Sequence, residues 1–152
     1  MTAIRRASPE DAPLVARLLH EFNSEFDDFT PGADALAPRY ARLIEKGAMI
    51  VLLAGEGPEG FAQLRFRESV LTGKLDAYLE ELYVVPSRRG EGIGRGLLEA
   101  AMDASREEGA THIDLGTGED DVAARALYES AGFDCREGRP DGAVQFFYER
   151  EL

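Results

Sequence analysis

The chain has 152 residues and carries 17 Lys and Arg against 29 Asp and Glu, a formal net charge of −12 at pH 7. Duplex nucleic acid is bound by cations that neutralise phosphates, so this balance excludes nucleic acid as an expected partner. With 44% hydrophobic residues, a chain of this length buries about 68–70% of the surface its unfolded form exposes, which excludes intrinsic disorder.

Cys135 is the lone cysteine, so no internal disulfide forms. No C-x-x-C or Cys/His spacing suggests zinc, and no metal is expected. Residues 1–13 lack the apolar run of a signal peptide, and no stretch reaches the ~20 apolar residues of a membrane helix, so the expectation is a cytoplasmic protein with no membrane attachment.

In chain order, Ile4 opens a short extended piece. Ser8-Pro9-Glu10-Asp11 then reads as an N-cap, a first-turn proline and early acids facing the helix dipole. Leu14, Val15, Leu18, Leu19 and Phe22 recur at helical spacing behind it. Residues 23–38 are rich in acids and breakers and predict a loop or short irregular helix, with a second helix from about Arg39 to Gly47. The apolar run 49–54 predicts a buried strand, joined through the turn Gly55 to Gly60 to a strand over 61–67. A third strand spans 77–85, limited by Pro86, which lacks a ladder donor. A helix over about 93–108 ends at Gly109, a strand covers 112–115, a short helix covers 122–130 and closes near Gly132, and a last strand covers 144–149. No repeat or linker divides the chain, so residues 1–152 are expected as a single domain.

The strand 77–85 runs through Pro86-Ser87-Arg88-Arg89-Gly90-Glu91-Gly92-Ile93-Gly94-Arg95 straight into a helix. Such a loop lets backbone approach an anion and aims amides and the helix dipole at a phosphate, although an ordinary turn has the same composition. It is not a dinucleotide fingerprint, and no G-K-[ST] follows. Two motifs decide the matter. Arg89 to Gly94 fits R-x-x-G-x-G after Leu82-Tyr83-Val84-Val85-Pro86, and Ala124 to Phe133 fits A-x-x-L-Y-x-x-x-G-F. Together they resemble the GNAT superfamily of N-acetyltransferases over nearly the whole chain. One departure is Asp121, where family members often carry Asn seven residues before the tyrosine.

The resemblance implies an α/β (α+β) fold with a mixed, mostly antiparallel central sheet flanked by helices, in the order β-α-α-β-β-β-α-β-α-β-β. It implies acetyl-CoA as co-substrate, with pyrophosphate against Arg89, Gly90, Glu91, Gly92, Ile93, Gly94 and Arg95, and pantetheine alongside the backbone of Leu82, Tyr83 and Val84. Tyr128 matches the tyrosine that protonates the leaving thiolate. Attack by an amine also needs a proton acceptor, because an alkylamine of pKa ~10 is mostly charged at neutral pH. Glu80 and Glu81 are the candidates. Alternation along a strand lets only one face the acceptor, and Glu81 is favoured because similar family members carry an acid just before the residue equivalent to Leu82. Cys135 reads as a small buried hydrophobe rather than an acyl carrier, so direct transfer in a ternary complex is expected.

Acid clusters in 21–28, in Glu80-Glu81 and in Glu119-Asp120-Asp121. Where these border the acceptor entrance, they favour a cation. The pattern also resembles, more weakly, aminoglycoside 3-N-acetyltransferases. The expected acceptor is a small cationic amine of aminoglycoside or polyamine type. A non-catalytic acyl-CoA-binding module, a protein or peptide amino-terminal acetyltransferase, and a homodimer are left open.

Overall fold

A computed structural model describes residues 2–57 and 59–152. Pro58 of the expected 55–60 turn, and Met1, lie outside the described residues. The chain forms two compact units, Met1–Leu115 and Gly116–Leu152.

The first unit holds a five-stranded sheet in the order β1-β2-β3-β4-β5. Its strands are β1 (Ile4–Arg6), β2 (Ile50–Ala54), β3 (Gly60–Glu68), β4 (Leu75–Val84) and β5 (Ala110–Asp114). The first four pair antiparallel, and β4 pairs parallel with β5. Helices α1 (Ala12–Glu25) and α2 (Ala33–Glu45) pack on one face, where Val15, Leu18, Leu36 and Tyr40 close over Val51, Leu53, Phe61 and Tyr83. Helix α3 (Ile93–Glu107) covers the other, burying Leu97, Leu98 and Ala101. Each fully buried Leu or Phe contributes about 1.5–3 kcal/mol by leaving water, so these two layers carry the fold.

Helix α2 begins six residues before the expected start and contains Pro38. The proline removes one backbone bond near the helix start. Packing of Leu36, Tyr40 and the flanking Ala33, Ala37 and Ala41 against the α1 side offsets that loss.

Strand β4 carries the feature on which the site depends. Its register against β3 runs Gly60↔Val84, Ala62↔Leu82 and Gln63↔Glu81, then jumps to Leu64↔Leu79, leaving Glu80 as an extra residue in a bulge. Before the bulge, Leu79 shares the α3 face with its partner Leu64. After it, Tyr83 shares the α1–α2 face with Phe61. A bulge reverses the alternation, so Glu80 and Glu81 both point to the α1–α2 face. The expectation that strand alternation sets the two on opposite faces is therefore corrected.

The second unit contains α4 (Val122–Ser130), capped by Asp121, whose carboxylate accepts from the Ala124 amide at 3.1 Å. Gly132 ends the helix at φ +94°. The expected last strand over 144–149, and with it the closing β-β of the predicted order, does not form among the described residues. A strand needs a neighbouring ladder, and the preceding segment folds into turns: Asp134 accepts from the amides of Arg136 and Gly138, with Glu137 and Gly138 at positive φ. A bond from the Gln145 amide to the Cys135 carbonyl joins the two stretches. Cys135 is exposed, not buried as expected.

Candidate active site

The segment that follows β4 is a single 3₁₀ turn, Pro86–Arg88, then an extended Arg89 and two left-handed glycines, Gly90 at φ +81° and Gly92 at φ +83°. A Cβ at either glycine would meet nothing, so conformation and not crowding calls for glycine there. Gly92 is the N-cap of the 15-residue α3, and the Gly96 amide makes the first intrahelical bond back to it. The amides of Ile93, Gly94 and Arg95 precede any such bond and stand at the positive end of the helix dipole. Ile93 turns its side chain into the core at 5% exposed, so only its backbone can serve a ligand. This cradle fits a phosphate group.

The arginines of the loop are already engaged. Arg88 bonds Glu59 and, at 3.0 Å, Glu91, which binds the loop to the β2–β3 turn. Arg89 donates to the Val84 carbonyl at 2.9 Å and to Glu25 at 2.8 Å, with its guanidinium 5.6 Å from the centre of the Tyr83 ring. Tyr83 in turn donates to Glu25 at 3.2 Å and stacks on Phe22 at 4.7 Å. The Arg89 guanidinium holds the Glu25 carboxyl below its ordinary value. Glu25, at the end of α1, is thus a partner of the loop that its sequence position does not reveal.

Between the loop and the bulge, β4 has an open side. Pairing with β5 stops at Tyr78↔Asp114, so residues 79–84, including Leu82, Tyr83 and Val84, carry no strand there among the described residues. An extended ligand fits such an edge by main-chain hydrogen bonds.

The bulge then sets two carboxylates on one face. Glu80 accepts from the buried Gln63 side chain and lies 3.9 Å from Arg65. Glu81 is half-buried; desolvation first, then the charges of Glu80 and Asp28, push its carboxyl up to about 7. Two adjacent carboxylates thus have different surroundings, an arrangement that separates acid and base roles. Beneath them Tyr40 of α2 donates to Gln63 at 2.5 Å. Sequence reasoning missed Tyr40 and Gln63; the one signal was a glutamine inside the apolar run Phe61-Ala62-Gln63-Leu64.

In the second unit, Tyr128 on α4 packs against Phe133 with ring centres 6.0 Å apart. Burial and the Asp121 charge push its hydroxyl up to about 12, so it is a proton donor at neutral pH. Asp121 supplies the cap that Asn would supply equally well. Among the described residues no group of three or more His, Cys, Asp and Glu could hold a metal ion, and no helix is long and apolar enough to cross a membrane.

Known proteins share this architecture. Residues 15–133 match the model of the acetyltransferase (GNAT) family. An uncharacterised N-acetyltransferase of Bacillus subtilis, YhfO, is 35% identical over 133 residues, covering 86% of this chain and 89% of the relative. An aminoglycoside N(6′)-acetyltransferase type 1 of Stenotrophomonas maltophilia is 31% identical over 135 residues, covering 86% and 85%; its position on the aminoglycoside differs from the 3-N position of the sequence resemblance. A crystallised acetyltransferase of Arthrobacter sp. FB24 superposes with a TM-score of 0.91 at 42% identity, covering 100% of this chain and 97% of that one. On the two motifs, the fold and these matches, the chain belongs to the GNAT family of acetyltransferases.

Proposed function

We propose that the chain transfers acetyl from acetyl-CoA to a primary amine of a cationic small molecule, by direct attack in a ternary complex. The observation that carries this reading is the bulge in β4. It sets Glu80 and Glu81 on one face, on a strand whose open edge leads into the glycine cradle. The thioester supplies an activated acetyl group; the chain supplies position and proton transfer. The amides of Ile93, Gly94 and Arg95 hold the pyrophosphate, joined by Arg89 and Arg95, and the backbone of Leu82, Tyr83 and Val84 orients the pantetheine arm.

Glu81 takes the proton from the acceptor ammonium. A carboxylate that titrates near 7 is ionised enough at neutral pH to accept it, and basic enough to hold it. The freed amine nitrogen bonds the acetyl carbon as the carbon–sulfur bond breaks, and the Tyr128 hydroxyl gives its proton to the departing sulfur. The second proton lost by the nitrogen on becoming an amide restores the tyrosine, and Glu81 releases its proton to solvent. A cationic acceptor follows from the charge of −12 and from the charges of Glu80 and Asp28 acting on Glu81. The relative from Stenotrophomonas maltophilia, named for an aminoglycoside acceptor, supports the same class.

The test offers acetyl-CoA with sisomicin, spermidine, a neutral aromatic amine and an amino acid, following CoA release and product mass. Acetylation of the first two in preference to the others is expected. Turnover confined to anionic or neutral amines would overturn the cationic assignment, and tight acetyl-CoA binding without turnover on any amine would overturn the enzyme.

A further inference from the structure

Gln63 sits in the middle of β3 at 4% exposed, among side chains that are otherwise apolar. A buried carboxamide is costly unless both of its ends are bonded. Both are. The Tyr40 hydroxyl donates to Gln63 Oε1 at 2.5 Å, and Gln63 Nε2 donates to Glu80 Oε1. The relay runs from the tyrosine to the carboxyl: the Tyr40 O–H donates to the amide oxygen, and the amide NH₂ donates to the Glu80 oxygen. Tyr40 is itself 4% exposed, and burial, then the charges of Glu81 and Glu80, raise its hydroxyl far above the ordinary value, so it stays a donor. The tyrosine satisfies only the oxygen end of the amide, so the NH₂ end needs an acceptor of its own. Glu80 is that acceptor.

The contact is one-sided. Gln63 bonds Glu80 Oε1, and Arg65 lies 3.9 Å from the same oxygen; the Gln63 bond leaves Oε2 to other partners. Glu81 lies on the same face by register, Asp28 adds its charge from the segment after α1, Arg65 stands beside them on β3, and Tyr40 approaches from α2. Of the two carboxylates, Glu80 is the one held by named donors, whereas no such bond fixes Glu81 among the described contacts.

We propose that Tyr40 and Gln63 are positioning residues that hold Glu80 in one orientation, so that its second oxygen receives an ammonium group of the acceptor while Glu81 takes the proton. The proposal rests on the amine-acetylating function above and divides the two carboxylates between anchoring and proton transfer. Tyr40 and Gln63 touch neither substrate.

The experiment is steady-state kinetics at saturating acetyl-CoA with sisomicin and with spermidine, on Tyr40→Phe, Gln63→Met, Glu80→Gln and their pairwise combinations. Acceptor KM is expected to rise about 5-fold in Tyr40→Phe and about 10- to 30-fold in Gln63→Met and Glu80→Gln, with smaller changes in kcat and none in the KM for acetyl-CoA. Combining Gln63→Met with Glu80→Gln is expected to add less than about 3-fold, since both act through one carboxylate. Where Gln63→Met fails to fold, the cycle of Tyr40→Phe with Glu80→Gln decides in the same way. Unchanged acceptor KM in folded Tyr40→Phe and Gln63→Met, or effects that multiply fully with Glu80→Gln, would overturn the relay. A wild-type chain that acetylates neither probe would overturn the cationic-acceptor reading and the relay with it. An active wild type with Glu80→Gln and Glu81→Gln both silent would overturn the role of the β4 carboxylates.

Discussion

The two ends of the site are joined by the last residues of β4, yet they are built in opposite ways. At the C-terminal end the glycine loop is local and made of backbone: two left-handed glycines, a helix start and its amides. Its backbone conformation lies within residues 86–96, and Glu59 and Glu25 reach it only through its arginine side chains. Around Glu80 and Glu81 the parts come from α2, the segment after α1, β3 and β4, and the chemistry resides in side chains brought together by one extra residue in the strand. The first end is tuned by conformation and the second by burial and charge, so the same kind of substitution should affect them differently.

The largest effect is expected at the backbone end. Gly92→Glu forces a side chain into φ +83° and adds an anion where the proposed function places the pyrophosphate. Affinity for acetyl-CoA should fall by about 100-fold, ~2.7 kcal/mol, in calorimetry on a folded variant. Unchanged affinity would remove the loop from the coenzyme site. At the other end, Glu81→Gln should lower kcat/KM for the amine by roughly 10²-fold and leave acetyl-CoA affinity intact. A loss of coenzyme binding in that variant would erase the distinction between the two ends. Tyr128→Phe removes only a hydroxyl and should lower kcat by about 10-fold, checked in single-turnover assays.

The smallest effect concerns stability. Burial raises the Glu81 carboxyl from 4.5 to about 7, so between those values the folded chain binds more protons than the unfolded one, and stability falls as pH rises. Glu81→Gln removes this cost. The variant should be more stable than wild type at pH 8 by on the order of 1 kcal/mol, with the difference vanishing below pH 4.5, as denaturant melts would show. Equal stability at both pH values would mean that Glu81 is not desolvated.

How much of this could be read in the sequence follows the same division. The strand–glycine–helix segment, the Tyr128 helix and the caps are local patterns, and α3 and α4 lie within a residue of where spacing put them. The start of α2 was hidden by Pro38, which marks a helix boundary in most settings and here lies within one because the apolar face of α2 is buried. The strand over 144–149 has the right residues, but a strand exists only with a partner, and pairing is not a local property. The bulge left no trace: alternation is the rule the sequence suggests, and its reversal at Glu80 is set by the register against β3. For that reason Gln63 and Tyr40 became visible only in three dimensions.

The inequality that the β4 bulge creates between two adjacent glutamates underlies the whole site. It is tested most directly by following the side-chain carboxyl carbons by NMR as pH is varied in the ligand-free protein. One resonance should titrate near 7, be absent in Glu81→Gln, and move to lower pH in Glu80→Gln while remaining above the ordinary glutamate range, because burial persists when the neighbouring charge is removed. A protein in which every carboxyl titrates below pH 5, or in which the resonance near 7 survives Glu81→Gln, would contradict the account.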